Sequence, residues 1–146
     1  MRKWTLSIVF LLIVGLGVGI AVEVRVQQHR NAFINASTAM AKSINVFNDE
    51  PNVDMTGFAS DATKKLISVA FAVKKVPVTE KELNSIMDGY LNSARGFDSS
   101  SSTSFIQPYQ LDVSVYQYAL SSDHHFLLYS GTKLPGSNQF VWTKTT

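Results

Sequence analysis

The sequence has no cysteine among its 146 residues. That absence removes disulfides, thiol catalysis, cysteine-based zinc sites and lipoprotein lipidation together, because each needs a sulfur atom. It permits an oxidising compartment without requiring one. Histidine is nearly as scarce. His29, His124 and His125 are the only three, and in a strand the last two point to opposite faces, so one metal ion cannot easily take both. No metal site is expected. A basic excess is also missing where it would count. The formal charge is +2, from 13 Lys or Arg against 11 Asp or Glu, and Arg2 and Lys3 supply all of it. From Glu23 onward the charges balance. Nucleic-acid binding thereby loses its electrostatic footprint, because such proteins concentrate basic charge on the face that meets phosphate.

Charge of either sign is absent from Trp4 to Val22. As a helix these residues would be about 28 Å long, near the ~30 Å hydrocarbon core of a bilayer. They read as a transmembrane helix over 4–22, with residues 1–3 as a cytoplasmic tail and 23–146 as an exported, periplasmic domain. Arg2 and Lys3 favour that orientation, since positive charge beside a span stays inside. Two alternatives stay open: the reverse orientation, and a signal peptide cut after Gly19-Ile20-Ala21. Gly15 and Gly19 lie four apart on one helical face, spacing that lets a second helix approach closely and admits a homodimer through this segment. Glycine is also simply common in transmembrane helices.

Past Glu23 the apolar positions narrow to one stripe. Val26, Phe33, Ala36, Met40, Ile44 and Phe47 recur at helical intervals, which predicts one helix running from the membrane to about Asn48, transmembrane first and amphipathic after. Asn48-Asp49-Glu50-Pro51-Asn52 then breaks it. Residues 51–60 read as a loop. Asp61 to Lys75 is ambiguous, with a helix capped at Ser60 or Asp61 set against a buried strand over Leu66–Val73, and the helix is preferred. Thr79-Glu80-Lys81-Glu82 fits a capping box. Leu83, Ile86, Met87, Tyr90 and Leu91 give the helix that follows its apolar face, and Gly96 is the expected stop. Asp98–Ser104 is a serine-rich loop. Beyond it Leu111, Val113 and Val115 alternate with Gln110, Asp112, Ser114 and Tyr116, the period of a half-buried strand. Two more strands, over 124–130 and 139–145, complete an antiparallel meander. The expected class is α+β: a long N-terminal helix, one or two further helices, and a C-terminal antiparallel β-meander.

Chemistry is thin. Ser130-Gly131-Thr132-Lys133 has the serine-x-x-lysine spacing of penicillin-recognising enzymes, but the partner motifs are missing and the chain is too short for that fold. Asp49 and Glu50 fall in a loop, and Glu80 and Glu82 belong to a helix start. No constellation requires an enzyme or a cofactor. Asn35-Ala36-Ser37 has the form of a glycosylation site but sits on a predicted helix.

A basic tail, a long helix, a second helix, a serine-rich loop and a meander resemble the plan of pilin-like proteins. The chain departs from true pilins in having no leader-cleavage pattern and no acidic residue between Met1 and Val22, where that family carries a glutamate. In length and plan it is more similar to the small PilM-type protein of conjugative-plasmid type IV (thin) pilus systems, a family assigned to the inner-membrane pilin transport apparatus or basal body. The resemblance implies a single-pass membrane protein whose partners are other pilus or secretion-machine proteins, and it carries over no functional residues. Asp112, Tyr116 and Tyr118, on the polar face of the meander, form the candidate partner surface. A function of a different class is a secreted or surface-anchored domain that binds carbohydrate or cell wall, with Tyr118 and Trp142 stacking on sugars.

Overall fold

The computed structural model describes residue 23 and residues 25–98, 105–117 and 126–145. The chain divides into two units, Met1–Ala32 and Phe33–Thr146. In the first unit, the described residues 25–32 are helical and exposed. Helix α1 is described over 25–42, and a turn at Ser43 leads to the short α2, Ile44–Phe47.

The stripe read from the sequence begins later than expected. Phe33, Ala36, Met40 and Phe47 are buried, joined by Ala39 and Ser43, while Val26 is 61% exposed. The expected transmembrane-then-amphipathic helix is not what the structure contains. Arg25, Gln27, Gln28, His29 and Arg30 make the start of α1 polar, and among the described residues no helix is long and apolar enough to cross a membrane. The apolar segment 4–22, with Gly15 and Gly19, lies outside the described residues.

The expected loop over 51–60 and helix from Asp61 are also replaced, by two antiparallel strands: β1, Val53–Asp61, and β2, Leu66–Val73. Asp61 is a turn former here. Its Oδ1 accepts the amides of Thr63 and Lys64 at 2.9 and 3.1 Å, and Lys65 turns the chain with φ 52°. A side chain that accepts amides two and three residues on serves a turn as well as a helix start. Ile67, Val69, Phe71 and Val73 then point inward at period two, which decides for strand. A bulge in β1 between Asp54 and Gly57 interrupts its pairing with β2.

Helix α3, Glu80–Phe97, begins with the capping box. Thr79 Oγ1 accepts the Glu82 amide at 3.3 Å, and Glu82 Oε2 accepts the Thr79 amide at 2.7 Å. Hydrogen bonds from the Thr79 backbone, and then from its hydroxyl, hold the Glu82 carboxyl below its ordinary 4.5. The contact therefore supports the fold above pH 4.5 and is lost as pH falls through the lowered value. Leu83, Met87, Tyr90 and Ala94 are the buried face. Gly96 does not end the helix, which runs to Phe97 with Asp98 as its extended C-cap.

Three strands follow: β3, Gln110–Gln117, β4, Leu127–Lys133, and β5, Val141–Lys144. They are consecutive antiparallel neighbours, and the sheet they belong to extends beyond them. The sheet has five strands in the order β1-β2-β3-β4-β5, and β2 and β3 are parallel. Alternation sorts its residues into two faces. The inner face carries Ile67, Val69, Phe71, Leu111, Val113, Val115 and Tyr129, all in one core with Phe33, Phe47 and the α3 stripe. Burying each large apolar side chain there contributes about 1.5–3 kcal/mol.

Tyr90 joins the layers. Its hydroxyl donates to the Met40 carbonyl at 2.7 Å, its ring stacks on Phe47 at 4.5 Å, and Phe47 meets Phe71 edge-on at 5.1 Å. At the β5 edge of the sheet, on the inner face, Trp142 of β5 lies over Gly131 of β4 and donates from Nε1 to Asn84 of α3 at 2.8 Å. A Cβ at Gly131 would stand 2.4 Å from the Trp142 ring, so glycine is what lets the indole lie flat. Gly131→Ala is expected to destabilise the fold by about 1–3 kcal/mol, the usual range for overpacking. In Trp142→Ala the same substitution should cost much less, and additive costs in denaturant unfolding would refute the contact.

Candidate binding face

The outer face of the sheet carries small and polar residues. Ser68, Asp112, Thr132 and Val141 form one row across β2 to β5, and Ala70, Ser114, Ser130 and Thr143 form the next. Asp112 and Tyr116 lie four apart on β3, so both belong to this face. Asp112 is held in place: its Oδ1 accepts from Gln110 Nε2 at 3.0 Å and from Thr132 Oγ1 at 3.1 Å. Its position is fixed without an ion pair to a described residue.

Tyr116 borders a groove of about 440 Å³. Gly57, Ala70 and Ala72 make its floor, where no side chain exceeds a methyl group, and Met55 and Tyr116 rise beside it. Met55 is unusual twice. It has φ 48°, in the left-handed region, which costs a non-glycine residue about 1–2 kcal/mol. Its large apolar side chain is also 53% exposed. The conformation is supported locally, with the Met55 amide donating to Asp54 Oδ1 at 2.8 Å and Thr56 Oγ1 donating to Asn48 Oδ1 at 2.7 Å.

Of the residues singled out in the sequence, Asp112 and Tyr116 share this face, while Tyr118, His124 and His125 lie outside the described residues. Trp142 is on the inner side, over Gly131. Ser130 and Lys133 sit three apart on β4, on opposite faces, so their spacing does not bring hydroxyl and amine together. Among the described residues no group of three His, Asp or Glu side chains could hold a metal ion.

Sequence reading missed Lys133. It is 1% exposed, and its Nζ donates to four backbone carbonyls: Gln107 at 3.3 Å, Tyr109 at 3.0 Å, Leu134 at 3.2 Å and Ser137 at 3.1 Å. The ammonium thus fastens the turn before β3 to the loop after β4. The available signal was the alternation of β4, which turns Tyr129, Gly131 and Lys133 to the same side.

Burial holds the Lys133 amine below its ordinary 10.5. Burial raises the phenols of Tyr90 and Tyr109 above 10.0, with the charge of Asp98 adding to Tyr109. These shifts act on stability with opposite signs. Between the folded Lys133 value and 10.5 the unfolded chain binds more protons, so stability rises with pH there; the tyrosine contribution is whole below 10.0 and is lost as pH climbs toward the folded values. Lys133→Met should abolish the rise below pH 10.5 and cost about 1–3 kcal/mol near neutrality by leaving carbonyls unpaired. Tyr90→Phe should reduce the loss above pH 10.0. Denaturation midpoints measured across that range check both, and profiles that match the parent chain would refute them. Comparison with protein-family models, with curated proteins and with solved structures gives no match to this chain.

Proposed function

We propose that this chain is a non-enzymatic membrane protein that works as a component of a type IV pilus or secretion assembly through protein–protein contacts. In this reading Trp4–Val22 seats it in the bacterial inner membrane, residues 23–146 lie in the periplasm, and Gly15 and Gly19 offer a face for homodimer packing in the membrane.

The observation that carries the reading is the outer face of the sheet. Residues of α1, α2 and α3 pack against the inner face, and the outer one keeps an apolar groove at Tyr116 and, further along β3, the fixed carboxylate of Asp112. A strained and exposed Met55 at the groove is costly for a chain that buries nothing there, and is accounted for by a protein partner that covers it. Methionine and tyrosine beside a small-residue floor suit an apolar side chain from a partner. The uncharged run 4–22 and the similarity in plan to the small PilM-type proteins point to a membrane-bound assembly. Against catalysis, Ser130 and Lys133 point to opposite faces of β4.

The test uses the full chain in its own cell. Asp112→Arg and Tyr116→Ala should each lower co-purification of pilus or secretion components by about ten-fold or more, as hot-spot substitutions do, with the unfolding midpoint unchanged. The chain should stay with membranes through a carbonate wash and keep its N-terminus near Met1. Undiminished co-purification would remove the partner face, and release of a form starting near Val22 would remove the anchor.

A further inference from the structure

A second cleft, of about 360 Å³, opens on the helix-covered side of the sheet, between α3, the turn before β3 and the loop after β4. It is within the ~300–1,000 Å³ range of small-molecule sites. Asp88, Asn92 and Arg95 line it from α3; their spacing of four and three puts them on one helical face. Gln107 and Asn138 line it from the two loops, and Leu91 and Ile106 add apolar surface.

From this arrangement we infer that the cleft binds a neutral polyhydroxylated ligand, a short glycan segment. The match is one of hydrogen-bonding capacity. A sugar hydroxyl donates and accepts at once, so a site for it needs both kinds of partner. Three side-chain amides offer both, the Asp88 carboxylate only accepts, and the Arg95 guanidinium only donates. Leu91 and Ile106 suit the C–H faces of a sugar ring.

Charge points to a neutral ligand. Asp88 and Arg95 offset each other, and the four carbonyls around the Lys133 ammonium occupy all its N–H groups, so it offers a ligand no donor. That clamp also gives the cleft its fixed wall. The Gln107 carbonyl is held by Lys133 and by the Gly136 amide at 2.8 Å, and the Ser137 carbonyl, next to Asn138, is held by Lys133. The backbone that carries Gln107 and Asn138 is thereby fixed before any ligand arrives, which lowers the ordering cost of binding. The site lies on the opposite side of the sheet from the groove beside Tyr116 and does not rest on the partner reading.

The experiment is an amide NMR titration of the full chain in a sugar-free detergent, with β-1,4-linked N-acetylglucosamine tetrasaccharide and with maltotetraose as probes. At least one probe should give saturable shifts at residues 88–95, 106–107 and 138. Asn92→Ala and Gln107→Ala should weaken it by about ten-fold each, the equivalent of one lost hydrogen bond network contact, while the spectrum elsewhere is kept. The proposal falls if neither probe saturates up to about 10 mM, a concentration that reaches very weak affinities. It falls equally if both variants bind as the parent does, or if the shifts gather around Tyr116.

Discussion

The parallel pairing of β2 with β3 is the constraint on which the architecture depends. Leu66 stands beside Gln110 and Val73 beside Gln117, in unbroken register. Parallel neighbours cannot be joined by a hairpin, so the chain leaving Val73 must return the full length of the sheet before it can pair again. Helix α3 makes that return, and the dimensions agree. Its 18 residues rise about 27 Å at 1.5 Å each, and the eight residues of β3 span about 26 Å at 3.3 Å each. A helix of that length must lie along one face, and its Leu83, Met87, Tyr90 and Ala94 stripe fixes which.

Once α3 has chosen a face, the rest of the second unit follows it. Phe33 meets Tyr109 edge-on at 5.1 Å, Phe47 lies between Tyr90 and Phe71, and the Tyr129 hydroxyl donates to the Val78 carbonyl at 3.2 Å. These contacts link α1, α2, α3 and the sheet through aromatic residues, and the hydroxyls of Tyr90 and Tyr129 find main-chain oxygens, so those large side chains are buried without stranding a hydroxyl. The resulting domain is one-sided. One surface of the sheet is core and the other is floor.

How much of this could be read from residues depends on whether the determinant is local. The start of α3 was legible because a capping box is complete within four residues, Thr79 to Glu82. The facing of β3 was legible because period two places Asp112 and Tyr116 together. The hairpin of β1 and β2 was not, since Asp61 before an apolar run looks alike at a turn and at a helix start, and Ala70 and Ala72 dilute the strand signal. Parallel pairing has no local signature at all. The groove needs Met55 and Gly57 from one strand and Tyr116 from another, two strands and some sixty residues away. Lys133 was hidden for a related reason: its partners are backbone oxygens, which every residue possesses. The reading of 4–22 rests on hydropathy alone, and the helix that follows proved too polar to share it.

The bulge in β1 bears on how such a protein can exist at high local concentration. β1 is the outermost strand on its side of the sheet, and a straight outer strand is a template on which another copy can pair without limit. The kink between Asp54 and Gly57 breaks that template near its N-terminal end, and Met55, turned through a left-handed conformation, stands out beside it. Copies crowded side by side are thus discouraged from zipping edge to edge, while the face of the sheet remains accessible. On the β1 side, the sheet offers its face more readily than its edge.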